Sequence, residues 1–465
     1  MNGINSADKS LQVIVLAAGK GTRMYSSKPK VLHHLAGKTL LQHVVDSARE
    51  LKAESIAIVY GHGGKQVKLS LVGEELLWCE QKEQLGTAHA VQQAIENIND
   101  SATTLILYGD VPLLGANTLE KLLAKKGNKS LALLTACLDN PAGYGRIVRN
   151  DKDGVEKIVE EKDASAEIKQ ITEINSGVMA VDGDKLKLWL EKIGNNNAQG
   201  EYYLTDLIEL AVSEGETVAS YIVADNKEIE GINNKIQLAE IEREYQHRQA
   251  IALMTRGVTL KDPARFDLRG TVEVGHDVTI DINVILQGEC KIGNNVSIGA
   301  NSILKDAIIG DNVEILENCI IEKSQVDSGC HIGPFARLRP ETQLDKNAKV
   351  GNFVEIKKAH IAKGSKVNHL SYIGDTEMGE NVNIGAGTIT CNYDGAYKHL
   401  TKIGDNVFIG SNSALVAPIE IGDNATIGAG STLSKNALAG ELTFTRAAQK
   451  TISSWKRPVK KTNKN

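Results

Sequence analysis

Val274-Gly-His-Asp-Val-Thr-Ile280-Asp-Ile-Asn-Val-Ile-Leu286-Gln-Gly-Glu-Cys-Lys-Ile292-Gly-Asn-Asn-Val-Ser-Ile298-Gly-Ala-Asn-Ser-Ile-Leu304 brings back an aliphatic residue at every sixth position, often with glycine after it, and nearly the same step continues to Leu433. A six-residue period belongs neither to an α-helix nor to a flat sheet. Repeated this long, it predicts a parallel β-helix with one short strand per face and the aliphatic side chain pointing into a narrow core. The segment before Asn234 lacks the repeat. The chain therefore couples two architectures, and the expected fold class is α/β plus all-β.

The first half alternates apolar runs with helical patterns. Val13 to Leu16, Ser55 to Tyr60, Thr104 to Tyr108 and Leu131 to Ala136 read as buried strands; Leu40 to Lys52, Thr87 to Ile98 and Thr118 to Lys126 read as helices. Strands without polar alternation, separated by amphipathic helices, predict a mostly parallel, Rossmann-like sheet covered on both faces, with ligands at the carboxyl ends of its strands. From Asn234 to Arg256 there is no Gly or Pro, and Ile236, Ala239, Ile241, Tyr245 and Leu253 recur at near-helical spacing, as in a connecting helix. The expected organisation is a first domain over 1–234, a linker helix over 235–256, a β-helix over 257–454 and a basic tail over 455–465. That tail, with Lys456, Arg457, Lys460, Lys461 and Lys464, is free of repeats and is expected to be mobile.

Within the solenoid the phase is expected to slip near Ile309, Ile332 and Ile361, and an insertion breaks it between Thr390 and Ile403. Extra residues are tolerated in a solenoid only as loops that leave the coils. The inserted loop carries Cys391, Asn392, Tyr393 and Asp394, which makes it a candidate site.

Charged residues are 24% and the formal net charge is −5, so no broad basic field points to nucleic acid or an anionic membrane. Anionic substrates would need local basic groups. The six cysteines have no Cys-x-x-Cys spacing, which argues against a zinc ribbon or a disulfide framework and for reduced thiols. No apolar run approaches the roughly eighteen residues of a membrane span, so a cytoplasmic protein is expected. Aromatic residues at 4% suit a thin core filled by Ile, Val and Leu.

The first motif, Leu16-Ala-Ala-Gly-Lys-Gly-Thr-Arg-Met24 with Pro29-Lys30, comes straight off the first strand. Gly19 and Gly21 let backbone N–H groups approach phosphate oxygens, a helix beginning nearby would add its positive end, and Arg23 and Lys30 bring charge. A lone Gly-x-Gly would be an ordinary turn; the basic pair and the full spacing outweigh that reading. Tyr108-Gly109-Asp110 ends another strand with a carboxylate suited to Mg²⁺, although such an Asp is more often a helix cap. The first motif resembles the sugar-nucleotide pyrophosphorylases, whose Leu-x-x-Gly-x-Gly-Thr-Arg-Met and Pro-Lys signature it matches residue for residue. The resemblance implies that Asp110 and Asn233 of Glu-Gly-Ile-Asn hold Mg²⁺. It also implies that Leu16, Ala17, Ala18, Gly19, Lys30, Tyr108 and Gly109 line the nucleotide-sugar site, that Gln81, Gly86 and Thr87 read uracil, and that Gly145, Glu160 and Asn175 meet the sugar. Arg23 and Lys30 would be catalytic. For Glu160 the bland alternative is a solvated residue in a charged run.

The second motif set is Gly333-Pro-Phe-Ala-Arg-Leu-Arg339-Pro340, Asn352-Phe-Val-Glu355-Ile-Lys357, Asn368-His369-Leu-Ser-Tyr372 and Asn383-Ile-Gly-Ala386 onward to Asn392-Tyr393-Asp394. With the first motif it resembles the bifunctional N-acetylglucosamine-1-phosphate uridyltransferase/glucosamine-1-phosphate acetyltransferases over essentially the whole chain. That family implies a left-handed β-helix, a homotrimer, and acetyl-CoA and UTP as co-substrates. His369 would be the general base, with Glu355 orienting it. Arg339, Lys357, Tyr372 and Asn383 would bind glucosamine-1-phosphate, and Ala386, Asn392, Tyr393, Ser411, Ala429 and Arg446 acetyl-CoA. A lone His on a solenoid coil is ordinarily a surface residue, and only the flanking motif lifts His369 above that. Cys391 has no paired histidine, and direct transfer to an amine needs no acyl-enzyme.

Two rivals remain. A single-activity sugar-1-phosphate nucleotidyltransferase with a regulatory β-helix would lack His369 and the Asn392 loop. A pure scaffold would need only plain repeats.

Overall fold

The computed structural model describes residues 9–73 and 75–459; Lys460, Lys461 and Lys464 of the basic tail lie outside them. The chain divides after Arg248 into two compact units, inside a single helix, Lys235–Thr255. Ile241 of that helix packs with Met24, Leu35 and Leu113 of the first unit, whereas Ala250 and Leu253 join the core of the second.

The first unit is built on strands β1 (Leu11–Ala17), β2 (Ser55–Tyr60), β3 (Leu77–Glu80), β4 (Thr103–Tyr108), β5 (Leu131–Cys137), β6 (Glu173–Asp182) and β7 (Val218–Ile222), in sheet order β7-β5-β6-β4-β1-β2-β3. All neighbours are parallel except β6, which runs antiparallel to β4 and β5. Val13, Val15 and Ala17 pack into one apolar cluster and Ile14 and Leu16 into another, so the unbroken apolar run of β1 reflects a sheet buried on both sides. Strand order reverses about β1 and β4, and the first motif and Asp110 follow these two strands.

Two local expectations need correction. No α-helix follows the glycine turn: Thr22–Met24 is one 3₁₀ turn, entered through Gly21 at φ 59°. The next α-helix, Leu40–Glu50, starts only after Thr39 caps it, its Oγ1 accepting from the Gln42 N–H at 3.1 Å. The helix expected over Thr87 to Ile98 ends at Gln92. There the Gln93 side-chain amide takes the His89 carbonyl at 3.0 Å, the acceptor its own backbone N–H would need to continue the helix, and that N–H turns to Ala90 instead.

The second unit is the parallel β-helix. One face is an eleven-stranded sheet; the other two form a fifteen-stranded sheet, because strands such as Val284–Ile292 and Glu355–Ile361 run round a corner without interruption. Val278, Ile280, Val284, Leu286 and their successors up to Ile427 stack in the core with almost no exposure. Each such side chain contributes about 1.5–3 kcal/mol by leaving water. The phase slips fall at Ile309, Val326, Ile361 and Met378, the one expected at Ile332 belonging to Val326. All four follow a residue of positive φ at the same corner, Asp306, Lys323, Lys358 and Asp375, and the inserted loop leaves the coil at that corner too. One edge of the prism thus absorbs every irregularity, and the other two keep their register.

Candidate active sites

In the first unit, Leu16, Ala17, Ala18, Gly19, Lys30, Gln81, Gly86, Thr87, Tyr108 and Asp110 line a single cavity at the carboxyl ends of β1, β3 and β4. Gly86 holds φ 119°, and a Cβ there would lie 2.4 Å from the Tyr202 carbonyl oxygen, so glycine is required. Gly109 packs between Leu41, Val31 and Ala17. The Lys30 ammonium donates to Asp110 Oδ2 and, at 3.2 Å, to Asn233 Oδ1, which also accepts from Arg23 Nη2 at 3.0 Å. A carboxylate and an amide oxygen therefore already converge on a cation. That donor set fits a hard ion such as Mg²⁺, which needs only one or two protein oxygens beside water and phosphate. Among the described residues no cluster of three or more His, Cys, Asp or Glu offers a richer cage.

Beside this cavity, Gly145 accepts from the Asn175 N–H at 2.8 Å, and a Cβ on Gly145 would come within 3.3 Å of Glu160 Oε1. Glu160 accepts from Thr205 Oγ1 at 3.2 Å. Its carboxyl is pushed above the usual range by burial, so it is not the solvated residue of a charged run. The Tyr108 phenol is likewise pushed up by burial, with Glu160 adding to it, and the missing side chain of Gly177 makes room for its ring. Sequence reasoning missed Gln84 and Glu201, which also line the cavity. Glu201 comes from a loop with no strand before it, so no motif pointed to it.

In the second unit one corner carries most of the predicted set. Leu370 N–H donates to the Asn352 carbonyl, Gly387 N–H to that of His369, Asn412 N–H to that of Ala386 and Gly430 N–H to that of Ser411, so Asn352, His369, Ala386 and Ser411 stack on successive coils. Ala429 continues the column: a Cβ on Gly410 would meet its N at 2.4 Å. Above the imidazole the side chains shrink to methyl and hydroxymethyl. Arg446 lies at the far end, beside Gly428 and Gly430 and 5.4 Å over the Phe444 ring.

His369 Nδ1 pairs with Asn352 Oδ1 at 2.9 Å. Glu355, expected to orient it, instead accepts from Arg339 Nη1 at 2.8 Å. Register explains the correction: Asn352 lies under His369, but Glu355 lies under Tyr372 on the next face. Lys357 stands beside Asp375 at 3.6 Å, and Asp375 accepts from Asn392 Nδ2. Gly374 has no side chain to obstruct the Tyr372 phenol, which a Cβ would meet at 2.4 Å. Asn383 lies in the eleven-stranded face, across the corner from Tyr372. Lys398, from the inserted loop, was not foreseen. It lies close to Lys357, and the approach of that second ammonium lowers its pKa. Tyr393 is exposed and donates to the Gly395 carbonyl at 2.6 Å, while His399 Nε2 meets Asp394 Oδ2 at 2.7 Å and ties the loop together. All six cysteines are free thiols.

Residues 13–150 match the family of MobA-like NTP transferase domains, and residues 271–306 and 400–435 match bacterial transferase hexapeptide repeats. Among solved structures, a UDP-glucose pyrophosphorylase complexed with UDP-glucose aligns with 51% of this chain and 99% of its own at 16% identity and a TM-score of 0.44, too distant to bear on either site. The bifunctional protein GlmU of Marinobacter nauticus is 54% identical over 450 residues, covering 97% of this chain and 99% of its own. That of Idiomarina loihiensis is 54% identical over 451 residues, with the same coverage. With relatives that match it through both motif sets almost end to end, this chain belongs to the family of bifunctional GlmU proteins.

Proposed function

We propose that the chain makes UDP-N-acetylglucosamine in two steps, acetylating glucosamine-1-phosphate on the prism and uridylylating the product in the cavity of the first unit. The observation that carries this reading is the corner column, which sets an imidazole of fixed tautomer at the foot of a groove of small side chains.

Asn352 Oδ1 accepts from Nδ1–H, so His369 keeps its lone pair on Nε2. The amine of glucosamine-1-phosphate attacks the thioester carbonyl, Nε2 takes its proton, the C–N bond forms and the C–S bond breaks, releasing coenzyme A. Arg339, Lys357 and Lys398 gather positive charge for the sugar phosphate, and Tyr372 and Asn383 contact the sugar. The pantetheine arm runs along Ala386, Ser411 and Ala429, with Asn392 and Tyr393 beside the acetyl end and Arg446 at the far end for a phosphate.

In the cavity, an N-acetylglucosamine-1-phosphate oxygen attacks the α-phosphate of UTP, and the bond to pyrophosphate breaks. The nucleophile is already ionised at neutral pH, so no general base is needed, and Lys30 and Arg23 position and neutralise the phosphates. Asp110 and Asn233 would hold Mg²⁺, which when bound supplies further neutralisation. Gln81, Gly86 and Thr87 meet uracil; Gly145, Glu160 and Asn175 meet the sugar.

The active form is a homotrimer. Hexapeptide repeats support self-association, and Phe335, Phe353 and Leu370 stand next to the column at positive φ, mostly exposed, with the two rings stacked 5.2 Å apart. Bulky side chains rarely adopt that conformation at a solvated turn, and burial against a second copy would offset its strain. No helix among the described residues is long and apolar enough to cross a membrane, and the free thiols suit the cytoplasm. The test supplies glucosamine-1-phosphate, acetyl-CoA, UTP and Mg²⁺ together and follows coenzyme A and pyrophosphate separately. Both are released, and pyrophosphate appears only after acetyl transfer. Pyrophosphate release without any coenzyme A would leave a single-activity nucleotidyltransferase.

A further inference from the structure

Gln81 is almost fully buried at the end of β3, and its amide nitrogen faces two acceptors: the Gly86 carbonyl at 3.2 Å and His89 Nδ1 at 3.1 Å. A carbonyl can only accept, so the nitrogen must lie on that side. Both amide hydrogens are then engaged inside the protein. Oε1 is left for the cavity that Gln81 lines.

His89 must present a lone pair at Nδ1 for this arrangement, which places its proton on Nε2. The group near Nε2 is the Gln93 amide, at 3.2 Å. Gln93 also donates to the His89 carbonyl at 3.0 Å, so turning its oxygen toward the imidazole N–H costs it that bond; half-buried, it can replace the bond with water, which the almost fully buried Gln81 cannot. The ring itself is held: His89 lies on the short helix Thr87–Gln92, tilted against Tyr202 with centroids 6.4 Å apart, and Tyr202 is bound on both sides, its N–H to the Leu85 carbonyl and its carbonyl to the Ala88 N–H.

We propose that His89 is a positioning residue for base selection: its Nδ1 lone pair locks the Gln81 amide with Oε1 toward the base. Uracil carries N3–H and donates to that oxygen; cytosine carries a lone pair at N3 and is repelled by it. Without His89 only the bond to the Gly86 carbonyl, at 3.2 Å, holds the nitrogen on that side, so Gln81 could rotate and offer N–H to cytosine at the cost of that one bond. This inference rests on the reading of the cavity as a uridylyl-transfer site and adds the residue that sets its selectivity.

The test compares kcat/KM for UTP and CTP in pyrophosphate release by the full-length wild type, H89F, H89A and H89N, with thermal unfolding as the check on folding. H89F removes the acceptor at similar size, and H89A serves if H89F unfolds. Either should lower the UTP to CTP ratio about tenfold, mainly through a higher KM for UTP. H89N, whose Oδ1 can stand near the position of Nδ1, should recover the greater part of the lost ratio. A folded H89F or H89A that keeps the wild-type ratio within twofold, or an H89N that falls as far as they do, overturns the proposal. A wild type that does not distinguish UTP from CTP overturns the uracil reading itself, and this inference with it.

Discussion

The two sites are assembled in opposite ways. The cavity of the first unit draws side chains from segments as far apart as Lys30, Gln81, Asp110 and Asn233, brought together because β1, β3 and β4 end at one rim of a sheet. The prism site is nearly a single column, in which Asn352, His369, Ala386, Ser411 and Ala429 occupy the same corner on successive coils. A sheet rim gathers unlike residues by topology, and a solenoid corner gathers them by count. The first design lets neighbours tune one another through hydrogen bonds; the second makes each function depend on the coil directly beneath it.

The largest effects should come from separating the two centres. H369A should lower acetyl transfer about 10²–10⁴-fold, the usual worth of a general base, and leave uridylyl transfer nearly intact. D110A should do the reverse, losing pyrophosphate release by at least about 10²-fold with coenzyme A release preserved. Parallel assays on the same preparations check both; if either variant loses both activities, the sites are not independent.

Within the column, N352A should lower kcat for acetyl transfer about tenfold, since one hydrogen bond then no longer fixes the imidazole tautomer. N352D replaces the amide oxygen with a carboxylate, which favours the imidazolium, so the acidic limb of the pH–rate profile should move to higher pH. E355A should instead raise KM for glucosamine-1-phosphate through Arg339 and leave that limb in place. Should E355A move the limb and N352D not, the orienting role returns to Glu355.

Much of this was legible in the sequence, and what was not has physical reasons. The six-residue period announced the prism because every coil repeats the same burial. The glycine turn announced the cavity because backbone must approach phosphate there. Periodicity says which face a residue occupies, not which coil lies beneath it. The resemblance therefore offered Glu355 to orient His369, whereas register puts Glu355 under Tyr372 and Asn352 under His369. Strand β6 was overlooked because Asn175-Ser176-Gly177 interrupts its apolar run, at the register shift between Asn175 and Met179. The early stop at Gln92 depends on one side chain competing with its own backbone.

A site dependent on one stacked neighbour should also respond to the loss of space. G374A would set a methyl group where the Tyr372 phenol lies, so the ring must swing away from its place above Glu355. KM for glucosamine-1-phosphate should rise several-fold with uridylyl transfer unchanged. An unaltered KM would remove Tyr372 from the sugar site.

The smallest expected effect separates the units by their titration. Asp206, at the start of helix Asp206–Ser213, has its pKa raised to about 6 by burial, with Glu209, Glu160 and Asp163 adding repulsion. Its value in the unfolded chain is about 3.9. The native state therefore prefers the protonated acid: the penalty is absent below about pH 4, grows between there and about pH 6, and is complete above it. D206N stays neutral throughout, so, with solvent screening of this half-exposed carboxylate allowed for, it should stabilise the first unit by roughly 1–2 kcal/mol at pH 8, do little at pH 4, and flatten the slope between. The prism core should show no such slope, because its Cys319 and Cys330 thiols, pushed up to about 11 by burial, stay neutral across that range. Urea titrations at several pH values, read by hydrogen exchange in each unit, would distinguish the two. A D206N chain whose first unit keeps the wild-type slope would mean that the charge near Glu160 is relieved elsewhere, and that the sheet rim tunes its carboxylates less tightly than its hydrogen bonds imply.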